Sequence, residues 1–226
     1  MPAIFIATRN AHKVSEIRAI LGQQFQYLTL DDFPNAPKVI EDAGTFAGNA
    51  AKKAVELANW LMAIEAEEVP DFVLADDSGL EVDALNGAPG VLSARFAAMG
   101  SGVNSSDADN NAKLLRLLQE VPLEKRTARF RCVIALTPVP PKKVENASPV
   151  CYADESEFQT EVFDGVCEGR VIFEPRGTNG FGYDPLFVPD GFEKSFAELE
   201  DDVKNKLSHR ARALEKLKVK RIGKPI

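Results

Sequence analysis

The chain has 226 residues, 45% of them hydrophobic and 27% charged, an ordinary composition for a globular protein with a full core. No apolar run approaches the roughly 20 residues of a membrane-spanning helix, so we expect no membrane partner. The formal net charge of −7 predicts a surface that repels nucleic-acid polymers, and any bound nucleotide is therefore expected to be small.

The first predicted unit is a strand followed by a tight turn and a helix. Residues 4–7 form a short apolar run, and the helical pattern that follows ends at Gly22. Thr8 and Asn10 suit the turn and the helix cap. Lys13 lies in the first helical turn, where free backbone N–H groups and a cation favour a phosphate. A helix cap with an exposed lysine is the alternative, because the segment lacks a glycine-rich phosphate loop.

A second acidic segment precedes a predicted amphipathic helix. Residues 38–40 are predicted to form a short strand that ends at Glu41, and Thr45 is suited to cap the next helix. The apolar residues of this helix keep helical spacing, at Phe46, Ala50, Ala54, Leu57 and Leu61. On other faces of the helix we expect Lys52 and Lys53 to be solvated, although Lys53 occupies an early turn near Glu41.

The most informative stretch is an apolar run, residues 72–75, that leads directly into Asp76, Asp77, Ser78 and Gly79. We expect a buried strand to end here, at the edge of a sheet. Two adjacent carboxylates repel each other and lose hydration, so a divalent cation or a set of hydrogen-bond donors is expected to neutralise them. The alternative is an ordinary turn or helix cap, in which the glycine supplies a positive φ.

The middle of the chain predicts a shaped loop, a helix and several strands. Two glycines and a proline shape the loop at 84–96, and Ser105 or Ser106 begins a helix that runs over 110–120. Its buried side is expected to contain Leu114, Leu115, Leu117 and Leu118.

Three further strands are predicted, at 129–136, 157–163 and 170–173. The proline-rich segment 138–149 is expected to be a loop between paired strands.

The C-terminal part predicts a ring-binding loop and another helix start. Glycines flank Phe181, which with Tyr183 offers a surface on which a nucleobase can stack. Ser208 is suited to cap the last helix, which places His209 and Arg210 in its first turn, where an anion is favoured.

The cysteines indicate a reducing compartment. Cys132, Cys151 and Cys167 form no CxxC pair, which argues against a structural zinc site. The N-terminus has no basic flank before its short apolar run, so it does not predict a signal peptide. We expect a cytoplasmic protein.

Five segments resemble, in order and spacing, the inosine triphosphate pyrophosphatase family, also called dITP/XTP pyrophosphatases. These are Thr8-x-Asn10-x-x-Lys13-x-x-Glu16, Thr45-Phe46-x-x-Asn49-Ala50-x-x-Lys53-Ala54, Asp76-Asp77-Ser78-Gly79-Leu80, Gly180-Phe181-Gly182-Tyr183-Asp184-Pro185-x-Phe187 and Ser208-His209-Arg210. The resemblance implies hydrolysis of ITP, dITP or XTP to the monophosphate and pyrophosphate, with Mg²⁺. It also implies one α/β domain over residues 1–226, with a long twisted mixed sheet, two lobes around a central cleft, and a homodimer.

The resemblance assigns roles residue by residue. It implies that Thr8, Arg9, Asn10, Ala11, His12 and Lys13 hold the phosphates, that Glu41 and Asp77 bind Mg²⁺, that Asp77 is the general base, that Ser78 and Lys204 contact the substrate, that Phe181, Gly182, Tyr183 and Asp184 form the base pocket, and that His209 and Arg210 help to read the purine.

Two departures and two competing interpretations accompany this resemblance. Gly48 stands where many members have glutamate, and the segment 138–149 is long and proline-rich. A haloacid-dehalogenase-type phosphatase would need a second acid where Gly79 stands. A nucleotide-binding regulator without turnover is the other alternative. The preferred base is open at this point.

Overall fold

A computed structural model of the chain describes residues 1–64, 69–98, 103–140 and 159–222. The strands are β1 (Ala3–Ile6), β2 (Gln26–Thr29), β3 (Phe72–Val82), β4 (Thr127–Pro138), β5 (Glu161–Val171) and β6 (Phe187–Pro189). The α-helices are α1 (Ala11–Leu21), α2 (Phe46–Ala63), α3 (Asp107–Leu117), α4 (Asp201–Leu207) and α5 (His209–Ile222).

The described strands form one open, mixed sheet in the order β2-β1-β3-β4-β5-β6. β1 pairs in parallel with β2 and β3, whereas β3, β4, β5 and β6 pair antiparallel in succession. The predicted α/β class with a mixed sheet is therefore confirmed.

Helices cover both faces of the sheet, because the side chains of each strand alternate between them. On one face Phe5 and Val73 pack with α2, and on the other Ile6 and Leu74 pack with α1 and α5. A third apolar cluster, which includes Leu80, fills the region around β6. No helix in the described ranges is long and apolar enough to span a bilayer.

β3 does not end where the sequence indicated. It continues to Val82, because Asp76 and the residues after it pair with β4 along the whole strand. Gly79 lies inside the strand, and a Cβ there would be 2.4 Å from the Oγ of Ser93. The glycine therefore allows a short 3-10 turn, Gly90–Arg95, to pack on the strand, and the predicted strand end was wrong.

β5 is a single strand, where the sequence predicted two, and it begins at Glu161. In the sequence, Gly165 and Gly169 suggest an interruption of the strand. In the structure, each glycine allows neighbouring backbone to pack closely against the strand. A Cβ at Gly165 would lie 2.0 Å from the carbonyl oxygen of His209, so its absence lets the start of α5 approach the sheet. The proline-rich segment lies outside the described residues from position 141 onwards.

Two further predictions about local structure were wrong. Residues 38–40 form no strand. On α3, Leu114 and Leu118 lie one turn apart and are buried, but Leu117 projects beyond that face and is 45% exposed.

The predicted helix caps, by contrast, are present. The side chain of Asn10 accepts hydrogen bonds from the N–H groups of His12 and Lys13. Thr45 caps α2, and Ser106, one of the two candidates, caps α3.

Candidate active site

Asp76 and Asp77 lie on opposite faces of the sheet, because they are consecutive residues of β3. Asp76 faces α1 and α5, where it contacts Lys13 and Arg210. Asp77 faces α2, where it accepts a hydrogen bond from Asn49. The two carboxylates therefore have separate surroundings, and each accepts from hydrogen-bond donors, which is one of the two expected ways of neutralising them.

Asp76 is a fully buried anion held by cations. Its carboxylate contacts the ammonium of Lys13 and accepts from Arg210 Nε at 2.8 Å, Ser78 Oγ at 2.9 Å and Cys132 Sγ at 3.2 Å. Burial works to raise the pKa of Asp76, but the charges of Arg210 and Lys13 outweigh it, so this pKa lies well below its ordinary value. Asp76 is thus a permanent negative charge that orders the cations around it.

The ionic contacts continue from Asp76 towards the C-terminal loop. Arg210 contacts both Asp76 and Glu16, and Lys204 Nζ lies 2.8 Å from Glu16 and 2.6 Å from Asp184. Acidic and basic side chains therefore alternate along this series of contacts, which runs from β3 through α5 and α1 to α4. This chain of contacts joins α1, α4 and α5 around one cleft.

Asp77 is less neutralised than Asp76. Its Oδ2 accepts from Asn49 Nδ2 at 3.0 Å, and its Oδ1 lies 3.7 Å from Lys53 Nζ. Burial raises the pKa of Asp77 against the opposing charges of Lys53 and Lys13. A partly desolvated carboxylate with free acceptor capacity is suited to take a proton.

Lys53 is buried, so the prediction that it is solvated was wrong. Its ammonium donates to the carbonyl oxygen of Asp76 at 2.6 Å and lies 3.4 Å from Glu41 Oε1, close to Asp77. Lys52, which faces away, pairs with Asp42 in a more exposed position. The long lysine side chain reaches the sheet because α2 packs directly on β3.

Two adjoining cavities contain most of the residues that the sequence indicated. The first, of about 450 Å³, is lined by charged and polar groups, among them Thr8, Arg9, Asn10, Lys13, Glu41, Lys53, Asp77 and Ser78. The second, of about 180 Å³, is lined by Phe130, Phe181, Gly182, Tyr183, Asp184, Lys204, His209 and Arg210. Asn10, Lys13 and Ser78 line both cavities, so an elongated ligand can occupy the two together.

The second cavity combines aromatic rings with an unsatisfied polar atom. The buried ring of His209 stacks on Phe130 with centroids 4.8 Å apart, and its Nδ1 has no hydrogen-bond partner in the described part of the chain. Phe181 is half-buried and stacks on the exposed ring of His12 at 5.4 Å. Tyr183 is buried and donates its hydroxyl hydrogen to Ser93, so it is a wall of the pocket and not an exposed stacking surface.

Arg210 has little freedom to contact a ligand base. Its Nε donates to Asp76, its Nη1 contacts Glu16, and its Nη2 donates to Ser78 at 3.0 Å. His209 is therefore the better candidate of the two for reading a purine. Ala11 lies exposed on the first turn of α1.

Several residues of the site were not among the sequence candidates. Glu16, Asn49, Lys53 and Asp76 all contact candidate residues directly. All four belong to the quoted motifs, and helical spacing brings Glu16 to the face of Lys13 and brings Asn49 and Lys53 to the face of Thr45. Their place in these motifs was the feature of the sequence that could have identified them as site residues.

A larger groove of about 790 Å³ lies between α1, α4 and α5, away from Asp77. Three of its lysines pair with neighbouring acids, Lys216 with Asp164, Lys218 with Glu215 and Lys220 with Glu161.

His209 is expected to make stability depend on pH. Burial, reinforced by the charge of Arg210, holds the pKa of His209 well below 6.5. As pH falls through about 6.5, the unfolded chain takes up a proton there and the folded chain does not, so stability falls with pH. Between pH 7.5 and 5.5, wild type should lose about 1.4 kcal/mol more of its free energy of unfolding than His209→Gln. Urea titrations at both pH values measure this, and equal losses would contradict it.

The residues present fit a magnesium ion that is completed by substrate oxygens. Within the described ranges, no group of three or more His, Cys, Asp or Glu side chains is placed to hold a metal. Glu41 and Asp77 nevertheless converge on the cation of Lys53. Mg²⁺ commonly binds through one or two carboxylates, several waters and phosphate oxygens, so a pair of carboxylates is a sufficient protein contribution.

Fold and site together define an α/β protein with a charged cavity that adjoins a cavity lined by aromatic rings. The comparisons name the family: the Ham1 family model matches residues 4–220, and the chain belongs to this family. It is 47% identical over 219 residues to the dITP/XTP pyrophosphatase of Geobacter sulfurreducens, covering 96% of each chain. It is 44% identical to the dITP/XTP pyrophosphatase of Desulforamulus reducens, covering 94% of this chain and 92% of the relative.

Solved structures show the same fold. A HAM1 protein from Coxiella burnetii superposes with a TM-score of 0.75 at 36% identity, covering 99% of this chain and 100% of that one. The Ham1 protein of Staphylococcus aureus gives a TM-score of 0.74 at 33% identity, covering 98% of each chain.

Proposed function

We propose that the protein hydrolyses nonstandard purine nucleoside triphosphates, namely ITP, dITP and XTP, to the monophosphate and pyrophosphate. The relatives named dITP/XTP pyrophosphatase support this activity. The observation that carries the proposal is the pair of adjoining cavities, one charged and one lined by rings, with Asp77 in the first and His209 in the second. A triphosphate and a purine together match this arrangement.

Asp77 acts as the general base in the proposed reaction. Its carboxylate takes a proton from the water that attacks the α-phosphorus, and pyrophosphate leaves. Asn49 holds one oxygen of Asp77 by a hydrogen bond, so the other oxygen is left for the water. Burial raises the pKa of Asp77, which makes the carboxylate a stronger base than an exposed aspartate.

Cations around the first cavity neutralise the triphosphate. Arg9, Lys13 and Lys53 line it. Lys13 is paired with Asp76 and Lys53 lies beside Glu41, so both lysines are already positioned when the ligand binds. Fixed cations lower the barrier because they stabilise charge that develops on the phosphate oxygens without reorganising.

Magnesium belongs to this proposal as the cofactor. Glu41 and Asp77 would hold it, and the ion would neutralise phosphate oxygens. The experiment that tests the proposal measures pyrophosphate release from ITP with Mg²⁺ and with excess EDTA. We expect turnover that EDTA abolishes. Undiminished turnover in EDTA would contradict the metal assignment, and binding of ITP without any turnover would identify a regulator.

The proposal extends to the state of the protein in the cell. A homodimer and a division of the single domain into two lobes follow from the family resemblance. A cytoplasmic location is supported by Cys132 and Cys167, which are both buried and free. Cys151 lies outside the described residues.

A further inference from the structure

Helix α3 holds the backbone of the ring-binding loop through two side chains. The N–H of Gly182 donates to Asp107 Oδ2 at 2.6 Å, and the carbonyl oxygen of Gly182 accepts from Asn111 Nδ2 at 3.0 Å. Asp107 and Asn111 are four residues apart, so they lie on one face of α3, one above the other. Both polar backbone groups of a single loop residue are therefore fixed by one helix.

Gly182 lies directly beside Phe181, and its backbone has a φ of +63°. A left-handed conformation is available to glycine at little cost, and here it aims the N–H and the carbonyl at α3. The neighbouring residues are held as well: the N–H of Phe181 donates to Asp184, and the hydroxyl of Tyr183 donates to the carbonyl oxygen of Ser93. The α3 contacts therefore hold the loop in addition to the hydrogen bond from Phe181 to Asp184.

We propose that Asp107 and Asn111 are positioning residues that set the place of Phe181 and thereby the affinity for the substrate base. The inference rests on the proposed function, because it assumes that a purine stacks on Phe181. Stacking of a base on an aromatic ring contributes about 1–3 kcal/mol and depends on the place of the ring. Neither residue lines the charged cavity that is proposed to hold the phosphates, so their loss acts on binding and leaves the chemical step intact.

Asp107 accepts a hydrogen bond from the loop and Asn111 donates one to it, so different substitutions test the two contacts separately. Asp107 only accepts, so Asp107→Asn keeps an acceptor oxygen, whereas Asp107→Ala loses it. Asn111 only donates to the loop, so Asn111→Asp places a carboxylate oxygen against the carbonyl oxygen of Gly182. The Oδ1 of Asn111 is buried and has no hydrogen-bond partner among the residues described, so Gly182 is the contact that orients this amide.

The test is steady-state hydrolysis of ITP by Asp107→Ala, Asp107→Asn, Asn111→Asp and wild type. The matched control is Asp109→Ala, because Asp109 lies in the same first turn and is also exposed, but its carboxylate accepts from Ser106 instead of from the loop. We expect KM to rise about tenfold in Asp107→Ala and Asn111→Asp with kcat within twofold, since lost positioning weakens binding alone. Asp107→Asn should stay within about threefold of wild type, because a neutral acceptor replaces a charged one.

A second measurement does not depend on turnover. Amide hydrogen exchange at Gly182 should accelerate at least tenfold in Asp107→Ala and not in Asp109→Ala, because the amide loses its acceptor. Unchanged KM in Asp107→Ala, or a parallel fall of kcat in Asp107→Ala and Asp107→Asn, would overturn the inference. Absence of ITP hydrolysis by wild type would overturn the proposed function instead, and the exchange rates would still report whether α3 holds the loop.

Discussion

Asp77→Asn is expected to lower kcat for ITP by about 10²–10⁴, because the amide cannot take a proton from the attacking water. The substitution is nearly isosteric and keeps an oxygen that can accept from Asn49. It also removes one carboxylate of the proposed magnesium pair, so the requirement for Mg²⁺ should rise. Single-turnover and steady-state kinetics over a range of Mg²⁺ concentrations separate the two effects.

The neighbouring acid provides the contrast. Asp76→Asn leaves the guanidinium of Arg210 and the ammonium of Lys13 without their shared anion in a buried place. Removing one partner of a buried ion pair costs about 3–5 kcal/mol, so this variant should lose stability as well as activity. Asp77→Asn, by comparison, should unfold close to the wild-type temperature. If Asp77→Asn kept more than about a tenth of wild-type kcat, the base would have to be another group.

The sequence predicted local structure well where a short rule decides it. Asn10, Thr45 and Ser208 each act as helix caps because a side-chain oxygen next to a helix start satisfies free N–H groups. The same rule placed His209 at the start of α5, facing the cleft. These features depend on a few neighbouring residues, so a single sequence is sufficient to find them.

The course of β3 could not be predicted in the same way. Asp76, Asp77 and Gly79 are unfavourable in a strand taken alone, and they form one because β4 supplies hydrogen bonds along its whole length. The burial of Lys53 and the role of Glu16 depend on α2, α4 and α5 packing on the sheet. Such contacts join residues far apart in sequence, so only the folded chain reveals them.

Hydrolysis of ITP and XTP is expected to be far faster than that of ATP, with kcat/KM for ITP exceeding that for ATP by about 10⁴. The reason lies at position 6 of the purine, which is an oxo acceptor in ITP and an amino donor in ATP. With its hydrogen on Nδ1, the neutral ring of His209 donates to an oxo group, and that atom has no partner among the described residues. The 6-amino group of ATP would instead face Nδ1–H of His209, so two donors would meet and neither would be satisfied. This costs about 1–3 kcal/mol for each buried group.

His209→Phe tests this directly, because phenylalanine can keep the stack on Phe130 while it removes the donor. The ratio of kcat/KM for ITP over ATP should fall by about 10-fold to 100-fold. ITP loses its hydrogen bond from His209, and ATP no longer places its amino donor against the donor of His209. Phe181→Leu is the matched control: a flat ring stacks on every purine alike, so this variant should weaken ITP and ATP together and leave the ratio unchanged.

GTP shares the 6-oxo group, so its rejection must come from crowding around the 2-amino group, and His209→Phe should slow GTP and ITP by similar factors. Comparable wild-type values for ITP and ATP would defeat base reading altogether. An unchanged ratio in His209→Phe would remove His209 from base reading, while the assignment of Asp77 would stand on its own measurement.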